Sequence, residues 1–194
     1  MKVKTYIKNI YPRKIYHHVK KTKKISDQIV KLFNEKAYMN SEIKPFTSDE
    51  IISIKYGSYL HDIGKTIDKR KHDKIGEKLF KKYIWYDIKP DLKSDGFKKD
   101  DRKIIKKNIS CAIACHKKWK NSEQDIGSIY VSMIVYAADK IAHISKDYSW
   151  DSYWNASRKI HKRIQKIQKY YGRTSRFDLL CSCIIKTLSN ECPF

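Results

Sequence analysis

Apolar residues recur along this chain at intervals of three and four, the period of helices packed on one side. From Lys14 to Phe33 one face carries His18, Thr22, Ile25, Ile29, Leu32 and Phe33, which predicts a first helix. Thr47 with Glu50 three residues later forms a capping box. It opens a second helix bearing Ile51, Ile54, Tyr56 and Tyr59, expected to end near Gly64, since glycine suits a helix C-terminus. A third begins near His72 and uses Ile75, Leu79 and Tyr83. The stretch Asp87–Lys99 contains Pro90 and Gly96 and reads as a loop. A fourth helix starts near Asp100 and aligns Ile105, Ile109, Ala112 and His116. Ser128–Ile144 is apolar nearly all round, so a fifth helix there belongs at the centre. Two more follow, over about Ser152–Tyr170 and Phe177–Leu188. The expectation is an all-α bundle of about seven helices. No repeat or second domain is visible, so 1–194 reads as a single domain. Its core spans about 14–146 and its C-terminal helices about 152–190.

Composition agrees with that outline. With 194 residues, 41% of them hydrophobic, the chain can bury a real core. Only 6 Gly and 4 Pro punctuate it, too few for a turn-rich β architecture. The longest mainly apolar stretch, Ile126–Ala138, is too short to span a bilayer. Met1–Lys24 is basic without an apolar core, so no secretory leader is expected. The 5 Cys form no CxxC pair and are expected as reduced thiols. A cytoplasmic protein without a membrane partner is the expectation; the oligomeric state stays open.

The net charge of +22 changes the picture less than its size suggests. Lysine greatly outnumbers arginine, and it is spread in runs such as Lys20–Lys24, Lys98–Lys107, Lys117–Lys120 and Arg158–Lys169. Lysine is the poorer residue for bidentate phosphate or base recognition, and compositional bias alone produces such a pattern. Nucleic acid is a possible partner. An anionic small molecule needs only a local positive site.

Three placements are hard to explain as solvated surface. Asp139 sits in the apolar run MIVYAADKIAHI, where a carboxylate is costly to bury unless a cation or strong donors meet it. His116 closes the apolar face of the fourth helix. His61 and Asp62 end the second helix, after a run of Ile and Tyr. Neighbouring residues on a helix point about 100° apart, so this pair suits two metals better than chelation of one. Imidazole with carboxylate suits first-row metals. Singly, each residue has an ordinary explanation as a hydrogen-bonded core histidine or an ion-paired aspartate. Together, His18, His61, Asp62, His72, His116 and Asp139 recur at inward-facing helical positions.

These residues resemble the HD superfamily of metal-dependent phosphohydrolases, in its HDIG-type branch. HDIGK at His61–Lys65 is similar to the family signature. His18 in HHVKKT, His72 in HDKIGEKLF, His116 in AIACHKK and Asp139 in YAADKIAH follow the order of members with a two-metal centre. His17 is the alternative to His18, which is preferred because Ile25 and Ile29 share its face. Where some relatives carry paired histidines, this chain has His116 followed by Lys117. The resemblance implies two divalent transition metals, Fe or Mn ahead of Co, Ni or Zn, with Asp62 bridging. It implies hydrolysis of a phosphoester or phosphoanhydride bond by metal-activated water, with Lys65 and Lys117 as candidate phosphate contacts. In size the chain is nearest to HD-type diadenosine tetraphosphate hydrolases, which makes a nucleotide or dinucleoside polyphosphate the expected substrate. The rivals are a mixed-valent di-iron oxygenase of the same fold and an RNA- or DNA-binding or RNA-cleaving HD protein. Metal-dependent hydrolase remains the leading expectation.

Overall fold

The computed structural model describes residues 3–117, 126–144 and 149–192. It is all-α, with no strand among the described residues. The helices are α1 (Val3–Ile10), α2 (Arg13–Tyr38), α3 (Ser48–Leu60), α4 (His72–Leu79), α5 (Trp85–Ser94), α6 (Lys99–Cys115), α7 (Ile126–Ala142), α8 (Trp150–Tyr171) and α9 (Ser175–Ser189). Helix α7 packs against α2, α3, α6, α8 and α9. Its run from Ile129 to Ala138 is buried on every side, as a helix without a polar face must be. No helix among the described residues is long and apolar enough to cross a membrane.

The start of α3 follows the sequence signal. Thr47 accepts from the Glu50 amide, and the Glu50 carboxylate accepts from the Thr47 amide. Glu50 also pairs with Arg176 at 2.8 Å, tying α9 to this corner. The end of α3 differs from expectation. The helix stops at Leu60, and a turn of 3-10 helix, Ile63–Thr66, carries Gly64. Gly64 is therefore no C-terminal cap: its φ is not positive. It is needed for close approach, because a Cβ there would lie 2.0 Å from the His72 carbonyl oxygen and 2.7 Å from the Gly76 nitrogen.

Three other expectations are corrected. Asp87–Lys99 is mostly helix, not loop. A π-helical turn, Phe80–Ile84, carries α4 directly into α5, and Pro90 sits inside α5 on its exposed side. The ring removes one hydrogen bond on the solvent face, while Trp85, Ile88 and Leu92 hold the other face in the core. Gly96 then ends α5: its φ is +87°, and Gly96 N–H and Phe97 N–H donate to Lys93 and Leu92 carbonyls, a Schellman closure. Second, Ile51 and Tyr83 are exposed, and Ile75 and Leu79 only half-buried. The inward face of α4 is His72, Asp73 and Gly76, followed by Phe80 and Ile84. Third, α1 precedes the expected first helix. Ile7 and Tyr11 anchor it, and the Tyr11 hydroxyl donates to the Tyr59 carbonyl at 3.0 Å.

Gly64→Ala is expected to cost at least about 2 kcal/mol, because both atoms in its way are backbone. Gly96→Ala meets nothing within 4 Å and should cost only the about 1–2 kcal/mol of a left-handed backbone. Denaturant titration of the two variants should rank them in that order; equal losses would remove the close-approach argument.

Candidate metal centre

Six side chains from five parts of the chain meet in the core. His18 comes from α2. His61 and Asp62 leave the end of α3, His72 opens α4, His116 follows α6, and Asp139 lies in α7. Helix ends supply four of the six, so the 3-10 turn and the tight Gly64 contact fix where His61, Asp62 and His72 stand. Asp62 and Asp139 are 1% and 2% exposed. His17 points to the surface, so His18 is the histidine of this pair that enters the cluster.

Asp62 sits between two groups. Its Oδ2 is 3.5 Å from His61 Nε2 and 3.7 Å from His18 Nε2. Its Oδ1 is 3.5 Å from both His72 Nε2 and His116 Nε2. Asp139 Oδ1 completes the first group, at 2.9 Å from His18 Nε2 and 3.5 Å from His61 Nε2.

The other ring nitrogens settle which atoms face inward as acceptors. Nδ1–H of His61, His72 and His116 donates to the carbonyls of Ser58, Lys69 and Ile113 at 2.9, 2.8 and 2.7 Å. Each carbonyl lies three residues earlier, so the local turn itself orients the ring. A histidine committed in this way presents its Nε2 lone pair. His72 and His116 then point two such nitrogens at each other, 2.9 Å apart. Two acceptors at that distance need a cation or a proton between them. His61 Nε2 and Asp62 Oδ1 are buried with no hydrogen-bond partner among the described residues. Buried polar atoms without partners cost about 1–3 kcal/mol each. Ligands about 2.0–2.2 Å from a shared transition metal stand roughly 3.0–3.5 Å from one another, close to the spacings of 2.9 to 3.7 Å in the two groups. The residues present therefore fit two metal ions sharing Asp62: His18, His61, Asp62 and Asp139 for one, Asp62, His72 and His116 for the other.

Electrostatics agree. Burial alone would raise the Asp62 carboxyl, but His61, His116 and Lys65 outweigh it and hold the group well below the usual carboxylate range. Asp139 is likewise held low, because the imidazoles of His143, His18 and His61 facing its carboxylate overcome its burial. Burial pushes His18 and His116 down, toward the neutral form that metals bind. His61 goes the other way: burial lowers it, but Asp62 and Asp139 more than compensate.

Lysines cover the outer side. Lys65 Nζ reaches Asp62 Oδ2 and Lys140 Nζ reaches Asp139 Oδ2, each at 2.5 Å. Lys65 thus stands at the edge of the cluster, engaged with Asp62. Lys117 is not brought into it. It is exposed, and its ammonium donates to the Arg70 carbonyl; Lys118–Lys120 lie outside the described residues.

The residue that sequence reasoning missed is His143. Its Nε2 is 3.3 Å from Asp139 Oδ1, and its ring lies beside that of His18, 4.3 Å between centroids and tilted by 30°. It stands at the rim, one helical turn after Asp139. With His18 and Asp139 it forms a third set of donors close enough to hold an ion. The signal was its i,i+4 spacing from the buried aspartate.

Manganese at a hundredfold over its Kd should stabilise the protein by about 2.7 kcal/mol. Elemental analysis should find two equivalents in the wild type and one fewer in His72→Ala, whereas His17→Ala should retain both. Full retention by His72→Ala would remove the second group.

No protein-family model, no curated protein and no solved structure matches this chain.

Proposed function

We propose that this protein is a metal-dependent phosphohydrolase of the HD type, acting on a phosphoester or phosphoanhydride bond of a nucleotide. The observation that carries the reading is Asp62, with one oxygen toward His18 and His61 and the other toward His72 and His116. A carboxylate shared between two donor sets is the arrangement that two adjacent cations require. Such ions supply Lewis acidity toward a phosphoryl oxygen and an activated water.

The protein's own groups explain the preference for an anionic substrate. Four imidazoles bring no charge in their neutral form, so only Asp62 and Asp139 offset the cations. Lys65 and Lys140 flank those carboxylates and keep the rim positive. Lys65, on its short 3-10 turn, stands at the centre's edge and can turn from Asp62 toward a phosphate. The carbonyl bonds at Nδ1 hold His61, His72 and His116 in place before substrate arrives, so little reorganisation is left for the reaction itself.

Asp62→Ala should abolish turnover and metal binding together. Lys65→Ala should lower kcat by about 10²–10³-fold, as for loss of one preorganised charge donor, with metal content unchanged. Elemental analysis beside a hydrolysis screen over mononucleotides, dinucleoside polyphosphates and cyclic dinucleotides reads both effects. Equal metal loss in both variants makes Lys65 structural. Wild-type protein fully loaded with Mn or Fe that cleaves none of these and consumes dioxygen instead would replace the hydrolase reading with an oxygenase one.

A further inference from the structure

Away from the metal centre, the longest unexplained feature is a basic groove along α8. Lys159, Lys162, Lys166 and Lys169 follow one side of the helix at steps of three and four, so the row extends about 15 Å. All four are exposed. Lys117 forms part of the opposite wall. The floor is Arg163, whose guanidinium lies 3.9 Å over the Tyr136 ring and donates to the Cys115 carbonyl at 3.0 Å. The groove has a volume of about 530 Å³ and, among the described residues, no acidic residue in its lining.

At several other surface positions a lysine meets a carboxylate, as in Lys23–Asp27, Lys81–Glu77 and Lys103–Asp100. Among the described residues, none of the five groove lysines is paired with a carboxylate. Like charges held in one groove repel unless a polyanion joins them. The groove also leads toward the cluster. Lys117 directly follows His116, and Lys159 lines in addition a second hollow of about 350 Å³ shared with Lys140 and His143.

We propose that this groove binds the sugar–phosphate backbone of single-stranded nucleic acid, independently of sequence. A single phosphate would occupy one or two of these cations and leave the rest of the row unused. Cations repeating at each helical turn match phosphates separated by sugars more closely than directly linked phosphoanhydrides. The occupant is one strand because the cations line a recess between α8 and the end of α6, which the convex face of a duplex does not enter. Lysine point charges read backbone, not bases. The one aromatic ring in the lining, Tyr136, is buried beneath Arg163, so no base stacks in the groove. Binding is a property of this surface and does not depend on hydrolysis at the metal centre.

The test is fluorescence anisotropy of a labelled oligothymidylate twelve-mer with the full chain, in EDTA, over 50–200 mM salt. Four phosphate contacts predict a slope of log K against log salt near −3, a loss on the order of 50-fold across that range. The triple variant Lys159→Gln, Lys162→Gln, Lys166→Gln should bind more weakly, with a slope shallower by about 2. Lys44→Gln, Lys55→Gln, Lys89→Gln removes the same charge from exposed sites elsewhere and should leave the slope unchanged. If both triple variants lose slope equally, binding is a diffuse effect of net charge and the proposal is overturned. It is also overturned if tripolyphosphate or polyglutamate, at equal charge concentration, displaces the probe as well as unlabelled oligothymidylate does.

Discussion

Two carboxylates buried among imidazoles govern this fold. Asp62 and Asp139 lie in a helical core where an unpaired charge would cost several kcal/mol. They remain ionised because His61, His116 and Lys65 face Asp62, while His143, His18, His61 and Lys140 face Asp139. The imidazoles of His61 and His116 are in turn oriented by backbone carbonyls three residues earlier. Four of the six side chains stand at helix ends, and together the constraints require α2, α3, α4, α6 and α7 to bring all six to one point. The hydrophobic core around α7 makes that convergence affordable in stability, and the centre makes it specific.

The same dependence explains which local irregularities the chain keeps. Gly64 permits the 3-10 turn to lie against α4, placing His72 beside His116. Gly76 answers it from α4, where a Cβ would stand 3.2 Å from the Gly64 nitrogen. The lysines inside the cluster and those along α8 differ in kind. Lys65 and Lys140 are engaged with carboxylates, while the α8 row has no such partners and faces open solvent.

Much of this was legible in the sequence where one physical signal dominated. The helical period exposed α2, α6 and α7, the Thr47–Glu50 box marked the start of α3, and Asp139 stood out as a charge inside an apolar run. Reading failed where tertiary packing overrode local chemistry. Pro90 and Gly96 suggest a loop, but burial of Trp85, Ile88 and Leu92 holds the helix through the proline, and Gly96 only ends it. Gly64 reads as a cap because nothing local reveals the His72 backbone against it. His143 was missed because it is 57% exposed at its side chain and so carried no burial signal of its own. The α8 row appeared as one lysine run among several, since only the fold shows that its members share a groove without carboxylates.

The central claim is that Asp62 is shared between two cations. Anomalous diffraction from crystals soaked in manganese tests it directly. The account predicts two peaks, one on each side of Asp62: one contacted by His18, His61 and Asp139, the other by His72 and His116. A well-ordered map with no peak at Asp62, and with His72 and His116 still in contact with each other, would contradict it.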